Sequence, residues 1–261
     1  DLISNRTIKR MFDDKFEQKI LQDFPALSTE IDDTRITYLD SAASTLKPRS
    51  MVDAVNEYYL GISCNVHRGK NYSLEQVSDR YEQARYKVAE LLSCAGNEIV
   101  FLRNTTEATN LVSAGLGLSK DDQVIVFTDA HHSNLLPWME RANVNQVKVT
   151  DSGSVDLDHY FELLKLNPKV VAITHCSNVT GVYNPLETMA KAAKERGAIV
   201  VVDAAQSVPH RKLNLKDLDI DFLTFSAHKM VGPTGIGVLY GKRDLLDELR
   251  PVNLGGGMVD W

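Results

Sequence analysis

From Glu98 onward, short runs of β-branched and apolar residues alternate with stretches of helical spacing. This alternation constrains the fold more than any other feature of the chain. The strand candidates are Glu98–Leu102, Gln123–Phe127, Gln146–Thr150, Val170–Thr174, Ile199–Val202, Asp221–Phe225 and Gly237–Tyr240. Helical candidates separate several of them: Glu107–Ala114, Asn134–Ala142, Asp158–Leu166 and Leu186–Arg196. Runs such as Val200-Val201-Val202 are apolar at every position, which marks strands buried on both faces. The expected class is therefore α/β, with a mostly parallel sheet flanked by helices. Between the last two strand candidates, Gly232-Pro233-Thr234-Gly235 is too short for a helical crossover, so one antiparallel neighbour is expected there. Upstream, Asp1 to Pro25 reads as a charged helical arm with Phe12, Phe16, Ile20 and Leu21 at helical spacing. Arg49–Leu60 and Leu74–Leu92 also read as helices. The expected organisation is an arm over 1–35, a large domain over 36–250, and a connecting segment over 251–261.

With 261 residues the chain can bury one sizeable core. Its net charge is −6, and its lysines and arginines are scattered, which argues against a nucleic-acid surface. Cys64, Cys94 and Cys176 form no CxxC pair, so a reducing compartment without disulfides is expected. No apolar run reaches the length of about 18 residues that a membrane span needs. Asp1 to Lys19 lacks the apolar centre of a secretory signal, so a cytoplasmic location is expected.

In parallel sheets flanked by helices, ligands sit beyond the carboxyl ends of the strands. Four strand ends here carry chemistry. After Glu98–Leu102, Thr105 and Thr106 fall where a helix begins, a setting for an anion site or for a plain N-cap. After Gln123–Phe127 comes His131-His132, which could stack on a ring, move protons or bind metal. Adjacent histidines diverge, which argues against a shared metal, and no other cluster has metal-ligand spacing. Asp203 directly follows the buried run Ile199–Val202, where a carboxylate needs a cationic partner unless it caps the next helix. Ser226 and His228 flank Lys229 beyond the run ending at Phe225, and Gly232 follows. Burial there would depress the lysine pKa, as an amine nucleophile requires. An anion cradle, a flat ring, a buried carboxylate and a nucleophilic lysine are together what pyridoxal 5′-phosphate requires. Asn178 adds a donor suited to the oxygen on the cofactor ring.

Eight segments in order carry a resemblance: Tyr38-Leu-Asp-Ser-Ala-Ala-Ser, Asn65-Val-His-Arg-Gly, Arg103-Asn-Thr-Thr-Glu, His131-His-Ser-Asn-Leu-Leu-Pro-Trp, Thr174-His-Cys-Ser-Asn-Val-Thr-Gly, Val202-Asp-Ala-Ala-Gln, Phe225-Ser-Ala-His-Lys and Gly232-Pro-Thr-Gly-Ile-Gly. From about Thr37 the chain resembles the class-V aminotransferase-like enzymes, and within them the Suf-type cysteine desulfurases and selenocysteine lyases. The resemblance implies the large domain of a fold-type-I homodimer. It implies that Lys229 holds the cofactor as a Schiff base, that His131 stacks on the ring and moves protons, and that Asp203 meets the ring nitrogen. Gln206 and Asn178 match groups near the ring oxygen. Thr105, Thr106, Ser226 and His228 match phosphate ligands. His67 and Arg68 match a loop on the substrate side.

The activity so implied converts L-cysteine, or L-selenocysteine, to L-alanine. The sulfur passes as a persulfide to an acceptor protein, for iron–sulfur or thio-cofactor assembly. A C–S lyase or epimerase is the alternative chemistry, and a catalytically silent scaffold the alternative class. Two departures stand out. Ala130 precedes His131 where many relatives carry an acid. Relatives also continue beyond the position of Trp261 into a smaller domain bearing the sulfur-accepting cysteine, and Cys64, Cys94 and Cys176 do not match that cysteine.

Overall fold

A computed structural model describes residues 14–66, 72–255 and 258. Its centre is a seven-stranded sheet. In chain order, helix α1 (Asp14–Asp23), the two-residue strands β1 (Glu30–Ile31) and β2 (Thr34–Arg35), and helices α2 (Arg49–Glu57) and α3 (Tyr72–Leu92) precede it. The sheet strands are β3 (Ile99–Leu102), β4 (Gln123–Phe127), β5 (Asn143–Val147), β6 (Val170–Thr174), β7 (Ile199–Asp203), β8 (Phe222–Ser226) and β9 (Gly237–Gly241). Between and after them run α4 (Thr105–Gly115), α5 (Leu136–Arg141), α6 (Leu157–Leu164), α7 (Leu186–Glu195) and α8 (Arg243–Glu248).

The spatial order is β3-β9-β8-β7-β6-β4-β5. Only β9 runs against the others, pairing antiparallel with both β3 and β8. The short Gly-Pro link thus produces the expected reversal. The remaining strands therefore all end on one edge of the sheet.

Alternate side chains feed two cores. On β4, Ile125 and Phe127 join Tyr160 of α6 and Met189 of α7, whereas Val124 and Val126 join Val112 of α4 and Trp138 of α5. The same alternation divides Val171 from Val170 and Val202 from Val201. Successive strand side chains point to opposite faces, so a strand covered on both sides is apolar throughout. The buried polar tips are satisfied: Tyr160 Oη donates to the Met189 carbonyl at 2.7 Å, and Trp138 Nε1 to Asn134 Oδ1 at 3.3 Å.

Three expectations change. The edge strand is Asn143–Val147, not Gln146–Thr150. Asparagine is a poor strand former, yet Asn143 and Asn145 both donate to Gln123 Oε1 on β4, which sets the register. Helix α8 was not expected, and Leu245 and Leu246 pack it against the α4 side of the sheet. The arm is helical over Asp14–Asp23 but buries no residue, and Phe16 is exposed. Phe12, His67 and Arg68 lie outside the described residues. No helix among the described residues is long and apolar enough to cross a membrane.

Candidate active site

A cavity of about 550 Å³ opens at the edge where the parallel strands end. Nine of the residues singled out from the sequence line it: Thr105, Thr106, His131, Asn178, Asp203, Gln206, Ser226, His228 and Lys229. They come from the ends of β3, β4, β6, β7 and β8, which the parallel topology brings together.

At one side lies the start of α4. Its cap is Asn104, whose Oδ1 accepts from the Glu107 amide at 2.8 Å. The cap position of the helix is thus taken by Asn104 and not by either threonine. Thr105 instead turns to Ser226 at the end of β8: its amide donates to Ser226 Oγ at 2.8 Å, and the two hydroxyls are also 2.8 Å apart. Hydroxyls and helix-start amides suit an anion. Gly237 starts β9 against this cap, and a Cβ there would collide with the Asn104 backbone.

Asp203 marks the opposite character. It is 6% exposed, and its Oδ1 accepts from the Ala205 amide at 3.0 Å. Burial pushes its carboxyl above the ordinary carboxylate range, and the Ala205 amide, Lys229 and His131 pull it back only in part. Opposite Asp203 in the β6–β7 register stands Thr174. Its hydroxyl is buried in the cavity wall without a hydrogen-bond partner among the described residues.

Lys229 follows β8 on a single 3-10 turn. Burial lowers its pKa, and Asp203 opposes this. His228 is also held below the usual histidine value, by burial and then by the charges of Lys229 and Lys47. His131 begins a 3-10 turn, with Nδ1 accepting from the Ser133 amide at 3.2 Å and 2.7 Å from Ser133 Oγ. Gln206 donates Nε2 to the Ala42 carbonyl at 2.7 Å, so its amide nitrogen serves the chain as well as the cavity.

The sequence reading missed one wall of the cavity. Asp40, Ala42 and Ala43 line it. They belong to a turn in which the Asp40 carbonyl accepts from the amides of Ala43 and Ser44. The run of small residues was the available signal, since small side chains let backbone approach a ligand closely.

A parallel sheet whose strand ends gather a burial-perturbed lysine, a buried carboxylate, a histidine and the hydroxyls of a helix start holds the side-chain types on which cofactor-dependent carbonyl–amine chemistry draws. Residues 37–261 match the aminotransferase class-V family, and the chain belongs to it. It is 41% identical over 262 residues to the cysteine desulfurase of Haloferax volcanii, covering 92% of this chain and 62% of that protein. The apo structure of cysteine desulfurase from Thermococcus onnurineus NA1 superposes with a TM-score of 0.84 at 38% identity, over 93% of this chain and 61% of the other. A structure of SspA in complex with cysteine matches at TM-score 0.78 and 28% identity, over 85% of this chain and 66% of the other. The chain thus spans a little over three-fifths of the Haloferax relative. Pyridoxal phosphate is the cofactor of this family. The site fits it: the buried Asp203 wants a cation, the Thr105–Ser226 corner wants an anion, and Lys229 offers an amine whose proton burial weakens.

Proposed function

We propose that the whole protein to which these residues belong is a pyridoxal-phosphate-dependent cysteine desulfurase. It takes L-cysteine to L-alanine and hands the sulfur on as a persulfide for iron–sulfur or thio-cofactor assembly. The observation that carries the reading is the meeting of Lys229, Asp203 and His131 with the Thr105–Ser226 corner in one cavity. The relatives named as cysteine desulfurases, and the related structure holding cysteine, support the choice of substrate.

Bound pyridoxal phosphate supplies an electron sink for the carbanion at the substrate α-carbon. Thr105, Thr106, Ser226 and His228 would hold its phosphate. Asp203 would keep its ring nitrogen protonated, an attraction worth roughly 4 kcal/mol at about 4 Å and an effective dielectric near 20. His131 would cover the ring face, and Asn178 and Gln206 would flank the ring oxygen. Lys229 Nζ, its proton loosened by burial, would hold the cofactor through its aldehyde and would serve to move the substrate α-proton. A homodimer, a cytoplasmic setting and a sulfur-acceptor partner complete the proposal. Exposed Leu39, Tyr59 and Leu60 are apolar surface suited to a second copy.

The test is direct. Protein loaded with pyridoxal phosphate is treated with borohydride and mapped by peptide mass, and the full enzyme is assayed for alanine and sulfide from L-cysteine. The pyridoxyl group is expected on Lys229, with product formation lost in Lys229→Ala. Labelling of another lysine, or preference for a substrate without sulfur or selenium, would overturn the reading.

A further inference from the structure

We propose that Lys47 is a positioning residue for Lys229: with Ser44 and Thr45 it clamps the His228 carbonyl and so fixes the turn that aims the Lys229 amine into the cavity. The inference rests on Lys229 being the cofactor lysine.

Four donors converge on the His228 carbonyl. They are the Thr45 amide at 3.0 Å, Thr45 Oγ1 at 3.0 Å, Ser44 Oγ at 3.2 Å and Lys47 Nζ at 2.8 Å. A carbonyl has two lone pairs, so this one is held more firmly than a turn needs. The shortest contact is also the charge-assisted one, the stronger kind. His228 immediately precedes Lys229, so holding this peptide group sets where the lysine side chain begins.

The clamp also grips the far side of the turn. Thr45 Oγ1 accepts from the Val231 amide at 2.9 Å. Val231 has φ +58°, a left-handed backbone that a β-branched residue adopts only under constraint. At Gly232 an added Cβ would lie 2.8 Å from the Ala227 Cβ, so the turn closes tightly on itself. Thr45 thus bridges the residues on either side of Lys229 and Met230. At its other end the clamping loop is tied to Gln206 through the Ala42 carbonyl. Lys47 is half-buried and forms no ion pair among the described residues. Its ammonium is spent on a carbonyl beside the cavity, an arrangement with no evident purpose on an ordinary surface.

The test compares wild type with Lys47→Met, Lys47→Arg and Thr45→Val. Two readouts are used: the rate at which added pyridoxal phosphate gives a borohydride-trappable adduct on Lys229, and the visible circular dichroism of the bound cofactor. Lys47→Met is expected to slow trapping about tenfold, the scale of one charge-assisted hydrogen bond, and to weaken the dichroism. Lys47→Arg should restore both. If Lys47→Met fails to fold, Thr45→Val, which cuts the same clamp and keeps the cation, should show the same slow trapping. Wild-type rates and dichroism in a folded Lys47→Met or Thr45→Val protein would overturn the inference while leaving Lys229 in its role. Failure of wild type to label Lys229 would instead sink the site reading, and this inference with it.

Discussion

The amide and the hydroxyl of Thr105 each lie 2.8 Å from the hydroxyl of Ser226, 121 residues further along the chain and buried with it. One serine therefore joins the start of α4 to the end of β8. Ser226→Ala leaves the buried Thr105 amide without this acceptor, at a cost of about 1–3 kcal/mol. Urea denaturation should register that loss. Retention of pyridoxal phosphate should fall about tenfold, whereas pyridoxal lacking the phosphate should bind as to wild type. An equal loss for both ligands would place Ser226 away from the phosphate.

Asp203 should leave a pH signature. Its folded-state pKa is raised by burial. The unfolded chain therefore releases this proton at lower pH than the folded one, and folding loses stability as pH climbs from the ordinary carboxylate value through the raised one. Asp203→Asn removes that slope. Without cofactor it should be more stable than wild type at neutral pH, with the gap closing as pH falls toward about 4. With pyridoxal phosphate the order should reverse, because only the carboxylate can pair with a protonated ring nitrogen. Urea midpoints across this range, with and without cofactor, check both halves.

Stability and cofactor binding should separate at Asp221. It is 1% exposed at the start of β8, on the sheet edge away from the cavity. It accepts from Lys194 Nζ at 2.7 Å, Lys242 Nζ at 3.0 Å and the Val200 amide at 2.8 Å. Asp221→Ala strands Lys194 and the buried Val200 amide, while Lys242 keeps Asp219 at 2.6 Å, and should cost about 3 kcal/mol in chemical denaturation. At temperatures where the variant stays folded, its affinity for pyridoxal phosphate should match wild type. A weakened affinity would show that the two sheet edges are coupled.

The legible part of this molecule is what side-chain type reveals. Asp203 stood out because a carboxylate directly after a wholly apolar run demands an explanation, and Lys229 because it lies just past a buried strand between His228 and a glycine-rich turn; both line the cavity. The reversed β9 was legible because four residues cannot cross a sheet. What stayed hidden works through backbone atoms. The clamp from Ser44 to Lys47 acts on the His228 carbonyl, which no side-chain pattern displays. The cap of α4 is Asn104, a residue overshadowed by its threonine neighbours. The edge strand β5 was misplaced because Gln123, twenty residues earlier, satisfies asparagines that local propensity disfavours.

The cysteines give the last prediction. Sulfur transfer to an enzyme thiol needs a thiolate within reach of the substrate sulfur. Cys176 lines the cavity and is 8% exposed. Its Sγ approaches the Gly181 carbonyl at 3.6 Å, as a thiol donor would. Burial raises its pKa, and the smaller effects of Tyr183 and Arg211 only partly offset this. Cys94 is pushed up to about 11, by burial and then by Glu98, and packs against the core beneath α3. Cys64 is half-exposed, with Sγ 3.5 Å from the Ser73 carbonyl. Near pH 8, iodoacetamide should therefore alkylate Cys64 well before Cys176 or Cys94. After incubation of the cofactor-loaded 261-residue chain with L-cysteine, no persulfide is expected on Cys176, despite its place in the wall. Cys176→Ala should keep normal pyridoxal phosphate binding. Peptide mass analysis after alkylation reads all three sites at once. A persulfide on Cys176 that vanishes in Lys229→Ala would show that its thiol ionises inside the cavity and takes sulfur there, against the chemistry its burial dictates.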